Sequence, residues 1–493
     1  EFINGRSISI TRDNPEDQLH LGKEVSLKIY DRQEIALGQS RYQIVQQPQF
    51  KTKSPILNNR RGDLMLLING MPVIHLELKR SGIPVSEAYN QIEKYSHEGV
   101  FRGVFSMVQI FVAMQPKESV YFANPGEGGV FNKAFYFHWA DVNNNPINDW
   151  HTFVQRFLYI PMAHKLIGFY TIADTDDGIL KVMRSYQYYA AVGIADIVAD
   201  KKSHWDDGKQ LGGHIWHTTG SGKTMTSFKA AQLIASNHDA EKVVFLVDRK
   251  ELGIQSLKEY RSFASENVSV QATENTMILT SKLKSDDLDN TLIVTSIQKL
   301  SNIAAEDSGL NDADLKAIQR KRMVIIIDEC HRSTFGDMLI DIKNTFKNAI
   351  IFGFTGTPIQ DLNAKKDSTT PTIFGDEIHR YTLGDGIRDK NVLGFDPYLV
   401  RIYDDNDLRE QIALEKAKAS SQQEAMSDPK KKKIFLKYMD SSQVKMYGEL
   451  VNGKWISGIE DYIPNEQYQT PEYKIGIITD IKKKWPLYSR DRQ

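Results

Sequence analysis

The stretch His217-Thr218-Thr219-Gly220-Ser221-Gly222-Lys223-Thr224 decides how the rest of the chain is read. It follows a short apolar opening, Gly213-His214-Ile215-Trp216, and precedes a helix-like run from Met225 to Ser236. Strand, tight glycine turn and helix, in that order, are the setting in which a Gly-Lys-Thr loop wraps phosphate. The backbone N–H groups of Thr219, Gly220, Ser221 and Gly222, with the N-terminus of the new helix, are then aimed at the anion. Lys223 is expected to reach the β- and γ-phosphates, and the Thr224 hydroxyl to help hold Mg²⁺. The usual loop carries a glycine five residues before Gly222, where this chain has His217. A plain glycine turn that happens to carry Lys-Thr is the alternative for this stretch alone.

Downstream, three apolar, β-branched runs fit strands buried on both faces of a parallel sheet: Lys242 to Arg249, Thr291 to Leu300, and Val324 to Ile327. The third delivers Asp328-Glu329-Cys330-His331 at its C-terminal end, where an open α/β sheet places ligands. Asp328 is expected to hold Mg²⁺ opposite Thr224, and Glu329 to orient or deprotonate the attacking water. A fourth strand, Ala349 to Phe354, ends in Thr355-Gly356-Thr357-Pro358. Upstream lies Arg184-Ser185-Tyr186-Gln187. These elements, in this order, resemble the motifs of superfamily 2 helicases, and small phosphate-loop kinases lack the Asp-Glu-x-His and Thr-Gly-Thr-Pro pair. The resemblance implies that Gln187, whose amide offers both donor and acceptor, reads the adenine edge of ATP, with Arg184 and His331 beside the nucleotide. The Thr-Gly-Thr element would link hydrolysis to a nucleic-acid track.

The N-terminal region carries a different signal. Leu64 to Ile68 runs into Asn69-Gly70, and Val73 to Lys79 follows. Asn-Gly between two apolar runs marks a hairpin, because both residues tolerate positive φ. The return strand alternates, with Ile74, Leu76 and Leu78 on one face and His75, Glu77 and Lys79 on a second, solvated one. The hairpin brings Asp63, Glu77 and Lys79 together. Two carboxylates suit Mg²⁺, and a lysine beside them can position water and neutralise charge on a phosphate. Charged residues on the wet face of a hairpin are the alternative. Asp63 with Glu77-Leu78-Lys79 resembles the Asp…Glu-x-Lys core of restriction endonucleases. Gln91 and Tyr95, on the helix that follows, are similar to the Gln-x-x-x-Tyr element accompanying that core in ATP-dependent restriction enzymes. Further on, the glycine-rich loop Asn124 to Gly129 is expected to be mobile. With Lys133 it is either a passive surface loop or one that touches the motor and reports its nucleotide state.

The wording of Trp216 to Thr224, Val247-Asp248-Arg249-Lys250, Asp328 to Ser333 and Phe352 to Ile359 narrows the resemblance. It is to the restriction-and-translocation (R) subunit of type I restriction-modification enzymes, HsdR, over about residues 25–400. The resemblance implies a subunit that joins methyltransferase and specificity subunits, pulls in double-stranded DNA with ATP, and cuts it with Mg²⁺. A type III or single-chain restriction helicase–nuclease, or a DNA-binding scaffold gated by ATP without turnover, are the rival readings.

Bulk properties agree with an α/β protein of several domains. The 493 residues exceed one core, and 41% hydrophobic with 25% charged residues is ordinary globular composition. A net charge of −1 leaves nucleic-acid binding to local basic patches. The single cysteine, Cys330, excludes an internal disulfide and fits a reducing cytoplasm. No apolar run approaches the ~20 residues needed to span a bilayer. The start at Glu1-Phe2-Ile3 reads as the cut edge of a longer chain. The expected division is residues 1–170 as a mixed-sheet PD-(D/E)xK-like nuclease, 171–362 as a RecA-like helicase lobe, and 363–493 as linker and the start of a second lobe. Within the last region, Lys430 to Lys433 reads as a solvated helix face or linker, and Tyr473 to Thr479 as a strand. No second-lobe motif supplies arginine fingers, so this stretch alone is expected to bind ATP and Mg²⁺ but hydrolyse poorly.

Overall fold

Asn69 and Gly70 have φ of 52° and 82°, the left-handed pair a two-residue hairpin needs to match strand twist. They turn the centre of a five-stranded sheet built from β1 (Tyr42–Gln46), β2 (Leu64–Ile68), β3 (Met71–Leu78), β4 (Ile110–Gln115) and β5 (Glu118–Ala123), side by side in that order. The β3–β4 pair is parallel and the other three are antiparallel, so the sheet is mixed as expected. Helix α1 (Val85–His97) makes the parallel crossover and buries Val85, Ala88, Ile92 and Tyr95 against Phe111, Ala113 and Phe122. The opposite face, including Ile68, Val73, Ile74 and Tyr121, packs on Phe153 and Phe157. Both faces of β3 are therefore covered. His75 and Glu77, expected on a solvated face, are each 0% exposed, because Phe50, Phe101 and α1 close over them.

The computed structural model describes residues 7–28, 40–174, 178–200, 210–247, 258–263, 270–273, 275–304, 312–330, 336–359, 369–393, 404–451 and 454–488, with positions 30, 38, 176 and 205. Glu1–Gly394 form one compact unit and Phe395–Gln493 another.

The second sheet of the larger unit uses β6 (Leu211–His217), β7 (Lys242–Val247), β8 (Val270–Ala272), β9 (Leu292–Ser296), β10 (Met323–Ile327), β11 (Ala349–Thr355) and β12 (Glu377–Tyr381). Their order is β8-β9-β7-β10-β11-β6-β12, and every neighbouring pair is parallel. Alternate residues face opposite layers. Val243 and Phe245 pack with α3 (Lys223–Asn237) through Phe228, while Val244 and Leu246 pack with Leu279, Leu300 and Ile342 of helices on the other side. Burial on both sides is why these strands read as unbroken apolar runs. This is the parallel, helix-flanked sheet of a RecA-like lobe. Helix α2 (Ser185–Ala199) joins the first sheet's core to this one, with Ala190, Ala191, Ile194 and Val198 in a single cluster spanning both.

One expected strand ends early and another is a helix. The run expected to extend to Leu300 stops at Ser296, and Ile297–Ala304 is helical, burying Ile297, Leu300 and Ile303 at three-residue spacing. Tyr473 to Thr479 lies inside the helix Pro471–Tyr488. Its apolar residues Ile475, Ile478, Ile481 and Trp485 follow a helical period that a seven-residue window conceals.

In the smaller unit, the helices Asp405–Ala417, Gln422–Ser427 and Pro429–Met439 pack through Ala413, Ala417, Ala425 and Phe435. Lys430 to Lys433 sit on the last of these, whose N-terminus is capped by Asp428 accepting from the Lys430 N–H at 2.7 Å. A hairpin, Glu449–Val451 with Lys454–Ile456, is antiparallel. Among this unit's described residues the paired strands are those of this hairpin.

Candidate functional site

The C-terminal end of β3 and one face of α1 make the first site. Glu77 is gripped at both oxygens: the His75 imidazole Nε2 lies 2.9 Å from Oε1, and Gln91 Nε2 donates to Oε2 at 2.8 Å. The same Gln91 nitrogen donates to Tyr95 Oη at 2.8 Å, and its Oε1 accepts from Lys79 Nζ at 2.5 Å. Tyr95 donates onward to the Arg61 carbonyl at 3.0 Å. Asp63 accepts the Leu78 N–H at 2.7 Å, which fixes it beside Glu77. Helical spacing puts Gln91 and Tyr95 on one face, and alternation puts His75, Glu77 and Lys79 on the facing side of β3. Asp63, Glu77, Lys79, Gln91 and Tyr95 therefore form one constellation.

Burial pushes the Glu77 carboxyl above its ordinary value; His75 opposes that shift, and the neighbouring Asp63 adds to it. Burial, then Glu77, likewise raises Tyr95. Two adjacent carboxylates are a fit for a hard cation, which Mg²⁺ satisfies with one or two protein carboxylates and further oxygens from water or phosphate. Among the described residues no group of three His, Cys, Asp or Glu side chains is placed to hold a metal, so any cation here relies on that two-carboxylate set.

The second site lies where the parallel strands end. Gly220 and Gly222 adopt φ of 80° and 79°, and Gly222 caps α3. Lys223 is 9% exposed, and its Nζ stands 3.4 Å from Glu329 Oε1. Glu329 is itself left-handed at φ 49°, an uncommon conformation for a side chain of its size, and its N–H donates to Asp328 Oδ1 at 2.9 Å. Burial first, then the Glu329 charge, raises the Asp328 carboxyl to about 6. A cation bound by Asp328 and Thr224 would relieve that penalty. The Thr-Gly-Thr element adjoins the loop through Trp216, whose Nε1 donates to the Gly356 carbonyl at 3.1 Å. His331 and Asp248 to Lys250 lie outside the described residues.

Gln187 is turned toward the loop rather than away from it. Its Nε2 donates to the Ser221 and Gly222 carbonyls at 3.1 and 3.4 Å, and its Oε1 accepts the Arg184 N–H at 3.0 Å. Tyr186 also donates to the Ser221 carbonyl, at 2.7 Å. Arg184 donates to Tyr186 Oη at 3.0 Å and lies over the Phe137 ring at 4.5 Å. Beneath the loop, His217 Nε2 meets His379 Nδ1 at 3.0 Å. Burial, with His379 and Lys223 nearby, holds His217 well below the usual imidazole value, and burial lowers His379 to about 4.

The two sites share one unit, bridged by hydrogen bonds. Tyr121 donates to the Met183 carbonyl at 3.0 Å, Asn144 Nδ2 to the Arg380 carbonyl at 2.7 Å, and Arg388 Nη2 to the Asn144 carbonyl at 2.9 Å. In the glycine loop, Glu127 pairs with Arg102 at 2.7 Å and Lys53 at 3.1 Å. Pro125, Val130 and Phe131 line a cavity of about 310 Å³ together with Gln187, Gly220 and Met225. Lys133 points instead to α1, 3.3 Å from Asn90 Oδ1 and over the Tyr89 ring.

Two family models match the chain. Residues 10–129 match the family described as Type I restriction enzyme R protein N terminus, and residues 186–432, half of the chain, match SWI2/SNF2 ATPase. A C-terminal part of a type I restriction enzyme endonuclease subunit from Mycoplasma pneumoniae is 40% identical over 210 residues, 42% of this chain and 99% of that one. The chain belongs to the type I restriction enzyme R-protein family.

Another R protein, the SauCOLORF180P endonuclease subunit of Staphylococcus aureus strain COL, is 41% identical over 336 residues, 68% of this chain and 34% of that one. The chain thus spans about a third of the length of this staphylococcal relative. A solved structure, a nuclease-deletion mutant of the Type ISP restriction-modification enzyme LlaGI with a DNA substrate mimic, has a TM-score of 0.32 at 18% identity, covering 62% of this chain and 30% of that one.

Three residues that pack into or beside these sites were not singled out from the sequence: Gly62, His75 and His379. His75 had a signal, since it precedes Glu77 by two on the same strand face. Gly62 had a weaker one, as a glycine directly before the site aspartate. His379 had none, because only the pairing of β12 with β6 brings it to His217.

Proposed function

We propose that this chain is the nuclease and first motor lobe of a type I restriction R subunit, a type I site-specific deoxyribonuclease. In this reading it translocates double-stranded DNA with ATP and cleaves unmethylated foreign DNA in complex with methyltransferase and specificity subunits. Residues 1–170 would be the PD-(D/E)xK-like nuclease, 171–362 the first motor lobe, and 363–493 the inter-lobe linker and the start of a second lobe. One observation carries the reading: the hydrogen-bonded run Glu77–Gln91–Lys79, with Asp63 and Tyr95 beside it, lies in the same compact unit as the Lys223–Glu329 pair.

At the nuclease site Asp63 and Glu77 would hold the divalent cation. Bound there, Mg²⁺ supplies Lewis-acid polarisation of the phosphodiester; at the motor it accompanies ATP between Thr224 and Asp328. Gln91 keeps Lys79 Nζ next to the Glu77 carboxylate, so the ammonium is ready to orient water and offset charge on the scissile phosphate. Tyr95 anchors Gln91 from the other side.

In the motor, the N–H groups of Thr219 to Gly222 and Lys223 Nζ would bind the phosphates, and Glu329 would orient the attacking water. Arg184, Gln187 and His331 would border the nucleotide. DNA contacts would be directed at phosphate and sensitive to salt, because a translocase must pass every sequence.

The test uses the full-length subunit assembled with its partners on unmethylated circular DNA. Lys79→Ala should abolish cleavage and leave ATP hydrolysis intact, whereas Lys223→Ala should abolish both. Cleavage that survives Lys79→Ala would end the nuclease assignment.

A further inference from the structure

The nuclease constellation contains a group that the Asp…Glu-x-Lys pattern does not include. His75 stands two residues before Glu77 and shares its strand face, and both side chains are 0% exposed. The imidazole is enclosed by aromatic rings, with Phe50, Phe101 and Phe111 at centroid distances of 5.7, 5.4 and 6.3 Å. Of its two nitrogens, Nε2 faces Glu77 Oε1 at 2.9 Å, while the buried Nδ1 has no hydrogen-bond partner. A buried N–H without an acceptor is costlier than a buried lone pair facing aromatic edges. The proton therefore belongs on Nε2, and His75 donates to the carboxylate.

The surroundings hold this contact in place. A Cβ on Gly62 would lie 2.6 Å from His75 Cε1 and 3.3 Å from Glu77 Oε1, so the backbone leading to Asp63 passes against the pair with no room for a methyl group. On the far side of the carboxylate, Oε2 accepts from Gln91 at 2.8 Å. Glu77 is thus held from both ends, by a strand neighbour inside the core and by a helix residue that also holds Lys79. Without His75 the carboxylate would be secured by Gln91 alone and could turn about its terminal torsion, which has a broad, soft energy profile. Partners of this kind fix a metal-binding carboxylate in one orientation, and losing one typically costs 10–100-fold in metal affinity or activity.

We propose that His75 is a positioning residue of the nuclease site: its Nε2–H holds Glu77 in the one orientation in which, with Asp63, it receives a divalent cation. It touches neither the phosphate nor the cation. The inference rests on the nuclease reading of Asp63, Glu77 and Lys79 given above.

The test compares His75→Leu, which fills the aromatic cage without a donor, with His75→Gln, whose amide places an N–H donor at similar reach. Both are made in the full-length subunit within its restriction complex, with Lys79→Ala as reference. Three readouts are taken: DNA cleavage, ATP hydrolysis, and Mn²⁺ binding in the absence of nucleotide and DNA, followed by electron paramagnetic resonance. His75→Leu should cut cleavage about 10–100-fold and weaken the Mn²⁺ site with ATP hydrolysis unchanged. His75→Gln should recover most of both losses.

Cleavage and Mn²⁺ binding at parental levels in His75→Leu, with Lys79→Ala inactive, would overturn the role of His75 and leave the nuclease reading standing. Equal defects in the Leu and Gln variants would also overturn it, since packing alone would then explain them. Full cleavage by Lys79→Ala would instead remove the nuclease reading on which the inference stands.

Discussion

Gly62 gives the sharpest check on the proposed nuclease site, because only space forbids a side chain there. Its φ is not among the positive ones, so alanine is conformationally allowed. The new Cβ would stand 2.6 Å from His75 Cε1 and 2.9 Å from Phe50 Cε2. Neither ring is the free end of a flexible chain, since both residues are 0% exposed. Forcing a methyl group into such packing costs about 1–3 kcal/mol. Replacing glycine returns about 0.4–1 kcal/mol by restricting the unfolded chain. The net expectation for Gly62→Ala is therefore a loss of about 1–2 kcal/mol, with the His75 ring pushed off Glu77. Thermal melting of the full-length subunit reads the first effect, and cleavage of circular DNA beside ATP hydrolysis reads the second. Melting should fall and cleavage should drop about tenfold or more, while hydrolysis persists. A Gly62→Ala subunit that melts and cuts like the parent would refute the tight packing of Gly62 on the His75–Glu77 pair.

Further outcomes follow from the motor and its junction with the nuclease. Gln187→Ala removes two donations to the loop carbonyls and should weaken ATP binding about tenfold, the equivalent of one to two lost hydrogen bonds; unchanged affinity by equilibrium titration would show that Gln187 does not shape the loop. The His217–His379 pair predicts acid sensitivity. Both imidazoles are lowered by burial, His379 to about 4, with Lys223, Glu377 and Asp385 as the charged groups facing them. The unfolded chain takes up protons below about 6.5 that the folded pair refuses, so stability is full above that pH and falls as pH drops toward 4, by up to about 1.4 kcal/mol per pH unit for each histidine. Melting curves of His379→Gln should fall less steeply across this window, and parallel curves would count against the pair. Asn144→Ala breaks the donation to the Arg380 carbonyl and should expose the junction to limited proteolysis earlier than in the parent; an identical digestion course would show that this contact does not hold the two sheets together.

Local features were read correctly where local physics governs them. The Asn69-Gly70 turn, the strand alternation after it, and the spacing of Gln91 and Tyr95 each depend on a handful of consecutive residues. So does the strand–loop–helix around Gly222-Lys223-Thr224. Errors arose where a short window held two periods. Ile297, Leu300 and Ile303 continue a β-branched run, yet they sit at helical spacing and are buried as a helix. Ile475 and Ile478 misled in the same way. For Ile297, Leu300 and Ile303, packing against the neighbouring elements separated the two readings, because β-branched residues serve either state when a core is present.

Glu77 shows the boundary between the two kinds of information. Its type and spacing from Asp63 and Lys79 are written in the chain, and they are enough to propose Glu77 as a carboxylate for a metal ion. That it is fully buried, donated to by His75, restrained by Gln91 and crowded by Gly62 depends on Phe50, Phe101 and α1 arriving from elsewhere in the chain. The same holds for the phosphate-loop site: Gly-Ser-Gly-Lys-Thr is legible alone, but the turn of Gln187 onto its carbonyls requires α2 to reach the loop, and the His217–His379 contact requires β12 to pair with β6. Sequence determines the chemical groups and their local spacing, because turns and periodicity act between near neighbours. Tertiary structure decides solvation and orientation, because these depend on which distant side chains exclude water from a given atom.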